Sequence, residues 1–65
     1  MINLEEFYES VLYGYQAYCR VNEYRPTMFV CSPQLRPELG ETVLSLQIEV
    51  DDTLYGYMSD AWYFI

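Results

Sequence analysis

The chain has 65 residues, ten of them acidic and three basic, and a formal net charge of −7. It contains no histidine and no lysine, which excludes Ser-His-Asp and Cys-His catalysis, His-ligated zinc, a phosphate-loop lysine and Schiff-base chemistry. Its three arginines (Arg20, Arg25, Arg36) are too few to grip phosphates or an anionic membrane, while 52% hydrophobic residues exceed what a disordered chain carries.

A chain of this length is expected to form one domain, residues 1–65. Its start, Met-Ile-Asn-Leu-Glu-Glu, has no basic leader, and no apolar run is long enough for a signal segment or a membrane span. The expectation is a cytoplasmic protein. Cys19 and Cys31 then stay reduced and serve as small buried hydrophobes.

Asn3 with Glu6 three residues on is a capping-box pattern, and Ile2 with Phe7 fits the hydrophobic staple around it. Leu4, Phe7, Val11, Tyr15 and Tyr18 follow at helical spacing, widened by Tyr8, Leu12 and Cys19. The spacing predicts a helix over residues 4–20 with Arg20 in its last turn. Gly14 inside it costs about 1 kcal/mol relative to alanine and is expected to mark a close packing contact. Tyr8, Tyr15 and Tyr18 are expected in the core.

Thr27 to Cys31 reads as a short strand. Residues 32–41 hold Pro33, Pro37 and Gly40 and read as a loop, opening on a helical turn with Ser32 as N-cap and Pro33 after it. Thr42 to Val50 alternates: Leu44, Leu46, Ile48 and Val50 on the core face, Val43, Ser45, Gln47 and Glu49 on the other, mostly polar one. Asp51-Asp52-Thr53 is a turn. Leu54 to Met58 reads as a strand with Tyr55 and Tyr57 beside Gln47 and Glu49, the alternative being a helix over residues 53–60. After a turn at Ser59-Asp60, Ala61 to Ile65 is an apolar terminal strand, paired in the core or forming half of a dimer interface.

The sum is an α+β fold. One N-terminal helix packs on a three- or four-stranded antiparallel sheet in two layers, since short connections imply antiparallel pairing.

The acidic residues fall into groups: Glu5, Glu6 and Glu9 on the helix, Glu49, Asp51 and Asp52 at the end of the main strand, and Asp60 in the last turn. The first group suits the helix dipole and the surface keeps a small protein soluble. The others have no structural duty that the sequence assigns. They point instead to a negative surface steered onto a basic groove, with Tyr55 and Tyr57 as contact area. Asp51-Asp52 with Glu49 are also the residue types that hold Mg²⁺ or Ca²⁺. Adjacent aspartates in a strand point to opposite faces, however, and no DxDxDG spacing is present. No metal, cofactor or catalytic residue is expected.

In length, acidic excess, Met1 start and helix-then-strands pattern, the chain resembles the small acidic inhibitors encoded by phages and mobile elements, including DNA-mimic anti-CRISPR proteins. The resemblance is to the class as a whole and carries over no individual residue. It implies a non-enzymatic inhibitor, a monomer or weak homodimer. Such an inhibitor binds the basic surface of a nucleic-acid-handling complex, such as a CRISPR effector, and blocks DNA recruitment. It touches neither nucleic acid nor membrane. Two other classes fit the composition. One is an oligomeric small-molecule or nucleotide sponge with an arginine-lined cavity. The other is an adaptor subunit whose terminal strand docks onto a host protein.

Overall fold

Asn3 opens the first element of the structure, a computed structural model that describes residues 2–65. Met1, on which the expected start of the chain falls, lies outside the described residues. The Asn3 side-chain oxygen accepts from the Glu6 amide at 3.2 Å and its carbonyl accepts from Phe7 at 2.9 Å. Helix α1 (Leu4–Asn22) follows, two residues longer at its end than the spacing predicts. It stops at Glu23, which turns left-handed (φ 63°) and donates its amide to the Cys19 carbonyl at 2.9 Å.

Four strands come next: β1 (Met28–Cys31), β2 (Thr42–Val43), β3 (Leu46–Val50) and β4 (Trp62–Phe64). They form one sheet in the order β2-β3-β1-β4. The α+β architecture, one helix on a four-stranded sheet, is as expected from the sequence. The pairing is mixed instead of antiparallel throughout. β4 runs antiparallel to β1 and β2 antiparallel to β3, but β1 and β3 are parallel, with Phe29 opposite Ile48 and Cys31 opposite Val50. The reason lies in residues 32–45. This stretch is a packed crossover long enough for a parallel return, and it buries Leu35, Leu39 and Val43.

Ser32 starts that crossover as expected. Its hydroxyl accepts from the Leu35 amide at 3.1 Å, and a short 3-10 turn (Arg36–Glu38) follows. The strand expected over residues 42–50 is broken. Leu44 and Ser45 both take positive φ (50° and 66°) and make a two-residue hairpin turn. The break shifts the parity, so Val43 is the buried residue and Leu44 is exposed.

The expected strand at residues 54–58 is a loop, and the alternative helix does not form; only a 3-10 turn (Ser59–Ala61) precedes β4. The cause is Gly56. Its amide donates to Gln34 Oε1 at 3.1 Å and its carbonyl accepts from the Ser32 hydroxyl at 2.7 Å. The groups a ladder would use are held by two side chains of the crossover.

The core joins Phe7 and Val11 of α1, Phe29 and Cys31 of β1, the crossover anchors, and Phe64 of β4. The Trp62 ring stacks on Phe29 with centroids 5.6 Å apart. Gly14 sits against that indole: a Cβ there would lie 2.7 Å from Trp62 Cη2, the close contact its sequence position suggests. Tyr15 and Tyr18 pack at the core margin, edge-on to Phe64. Tyr8 is exposed, although its ring meets Phe7 edge-on.

Candidate functional site

Side chains alternate along a strand. Phe29 and Cys31 point toward α1, so Val30 points to the face that the helix leaves bare. In register on either side of Val30 stand Glu49 of β3 and Tyr63 of β4. Tyr63 extends over Val30 and donates its hydroxyl to Asp51 Oδ2 at 3.1 Å. Val30 is accordingly only 4% exposed on an otherwise open face. Glu49, Asp51, Asp52, Tyr63 and Ile65 border a shallow cleft of about 430 Å³ over Val30. This open face is the candidate site.

Asp51 has a structural duty that its sequence position alone does not reveal. Its Oδ1 accepts from the Thr53 amide at 2.9 Å and from the Thr53 hydroxyl at 2.6 Å. Its carbonyl accepts from Leu54 at 3.0 Å, and its own amide donates to the Cys31 carbonyl at 2.9 Å. The residue therefore closes the turn and extends the β1–β3 ladder. The Thr53 hydroxyl, then the Thr53 amide, and the Tyr63 hydroxyl hold its carboxyl below the ordinary carboxylate value. The Tyr63 phenol is pushed up, first by the bond to Asp51, then by desolvation, and further by the Asp51 and Glu49 charges. Glu49 and Asp52 are exposed beside this pair.

The structure brings Glu49, Asp51 and Asp52 to one cleft but not the remaining residues singled out by sequence. Glu5, Glu6 and Glu9 are exposed on α1, in the other layer. Glu6 lines a second cleft of about 510 Å³ with Phe7, Ser10, Tyr57, Met58 and Trp62. Asp60 is exposed in the 3-10 turn leading into β4. Tyr55 and Tyr57 do not stand beside Gln47 and Glu49 as expected, because Gly56 is held in a loop. Tyr55 is 81% exposed there, and Tyr57 turns to the second cleft.

The tyrosine on the face of Glu49 is Tyr63, across Val30 from it, and not Tyr55 or Tyr57. The signal for it was present: Trp62 and Phe64 flank it in a terminal strand, so it faces away from the core.

Among the described residues, no group of three His, Cys, Asp or Glu side chains is placed to hold a metal ion. No described helix is long and apolar enough to cross a membrane. Arg36 donates to the Gly40 carbonyl at 3.0 Å, and no arginine lines either cleft. Cys19 and Cys31 are free thiols, and burial pushes the Cys31 thiol up. No family model, curated protein or solved structure matches the chain.

Proposed function

We propose that this protein is a non-enzymatic acidic inhibitor acting in the cytoplasm. Its bare sheet face binds the basic surface of a nucleic-acid-handling complex of the CRISPR-effector kind and keeps DNA off it. One observation carries the reading. Glu49, Asp51 and Asp52, from one strand end, stand with Tyr63 around a single cleft on the face opposite the helix. The Asp51 carboxylate is already held by Thr53 and Tyr63 when it meets arginines and lysines, and a field of one sign speeds the encounter. Tyr63 adds apolar area with a fixed hydroxyl.

The test uses Glu49→Gln with Asp52→Asn and leaves Asp51 in place, since Asp51 holds the turn. Immobilised protein is exposed to host lysate at low salt, and bound proteins are eluted with duplex DNA at constant ionic strength. DNA is expected to release the partner, and the double variant to retain little of it. Bound protein that DNA does not displace, or that the double variant retains equally, would sink the reading.

A further inference from the structure

The terminal strand has an open side. Met28 and Ile65 exchange both backbone hydrogen bonds at 3.1 Å, and Ser32 donates to the Ala61 carbonyl at 2.9 Å. In an antiparallel pair such bonded positions recur every second residue. Tyr63 is therefore bonded to β1, while the amides and carbonyls of Trp62 and Phe64 point the other way. β4 ends the sheet order, so no strand of the described residues lies on that side.

The second cleft adjoins this edge. Trp62 belongs to both, and α1 contributes Phe7, Ser10 and Glu6 to the opposite wall. An extended chain laid along β4 can thus hydrogen-bond with Trp62 and Phe64 and direct alternate side chains into the cleft. The floor is apolar and aromatic. The charges nearby are negative: Glu6 in the wall, Asp60 before the strand, and −7 over the whole chain.

From this we infer that β4 and its cleft take up an extended segment of a partner protein in which apolar residues alternate with lysine or arginine. The segment adds to the sheet as a fifth strand. A second copy of this chain is the poorer occupant, because it sets −7 against −7 and pairs two edges that each carry Asp60. The inference stands apart from the open sheet face: it uses neither Glu49 nor Asp52.

The probe is a capped octapeptide of alternating valine and lysine, with its valine–glutamate counterpart as control. Amide exchange and chemical shifts are followed by NMR on the whole chain. Expected are protection of the Trp62 and Phe64 amides by the lysine peptide only, and weaker binding as salt rises. Glu6→Gln removes one negative charge from the cleft wall, where the valines and not the lysines enter, and is expected to weaken binding by no more than about twofold. Ser10→Arg, at an exposed helix position, fills the cleft and is expected to abolish it. Glu49→Gln with Asp52→Asn leaves peptide binding unchanged, which separates this surface from the sheet face. The inference is overturned if neither peptide protects these amides, if both do equally, or if protection appears instead at residues 48–50 of β3, which β2 does not reach. It is also overturned if the amides become protected with protein concentration alone, which identifies a dimer edge.

Discussion

Tyr63 and Asp51 are joined across the width of β1, hydroxyl to Oδ2 at 3.1 Å. The bond ties the edge strand β4 to the turn that leaves β3, two elements that share no ladder. Between them Val30 is sealed on a face that no helix covers.

Asp51 titration tests how that turn is held. Its carboxyl is lowered from an ordinary 3.8, chiefly by Thr53 and less by Tyr63. A depressed carboxyl stabilises the fold above the unfolded-state value, and that stability is lost as pH falls through the folded value. Carboxyl NMR titration is expected to show a larger upward return in Thr53→Val than in Tyr63→Phe. The reverse order would mean that Tyr63, not the turn, sets the Asp51 charge.

At the alkaline end the sign reverses. The Tyr63 phenol is raised above 10.0 by its bond to Asp51. Its contribution is complete below the unfolded tyrosine value and declines as pH rises through the folded one. Tyr63→Phe is therefore expected to flatten the loss of stability above pH 10, read by chemical unfolding at several pH values. Unchanged alkaline sensitivity would assign that loss to other tyrosines.

Ser32→Ala tests the link between the crossover and the loop at residues 54–58. The Ser32 hydroxyl is buried, donates to the Gly56 carbonyl at 2.7 Å and accepts from the Leu35 amide at 3.1 Å. Removing it leaves a buried amide without its partner, a loss of about 2 kcal/mol. Faster amide exchange at Gly56 is expected alongside. A loss of stability without faster exchange at Gly56 would show that Gln34 alone holds the loop.

These contacts also explain which parts of the fold were legible in the sequence. Asn3, Ser32 and the periodic stripe of α1 act over three or four residues, so cap, turn and helix were readable locally. The parallel pairing of β1 and β3 was not, because it depends on the crossover burying Leu35 and Leu39. Nor was the loop around Gly56, which is set by side chains more than twenty residues away. For the site, the grouping of Glu49, Asp51 and Asp52 followed from their proximity in the chain. Tyr63 had the right parity, but only the order β3-β1-β4 places it across Val30 from Glu49.

Gly14→Ala sets two effects against each other. Alanine gains about 1 kcal/mol of helix propensity. Its Cβ would lie 2.7 Å from Trp62 Cη2 and 3.0 Å from Cζ3, and overpacking of that kind costs about 1–3 kcal/mol. The indole is stacked on Phe29 and has an aromatic neighbour in Phe64, so it does not yield as a flexible chain end would. A net loss of about 1 kcal/mol is expected in urea unfolding, with altered Trp62 fluorescence. A variant more stable than the parent would show that the ring moves aside freely.

The hairpin between β2 and β3 offers the opposite outcome. Leu44 and Ser45 occupy the two positive-φ positions of a tight turn, at 50° and 66°. An L-residue pays roughly 1–2 kcal/mol to sit there, whereas Asn-Gly adopts the same pair readily. Leu44 is 40% exposed, so little burial is lost with it. Glycine at residue 45 enlarges the entropy of the unfolded chain, which offsets part of the relief. Leu44→Asn with Ser45→Gly is therefore expected to raise stability by about 1 kcal/mol in urea unfolding, with the sheet unchanged by NMR. A less stable double variant would mean that the Leu44 side chain contributes more through its contacts than its backbone costs.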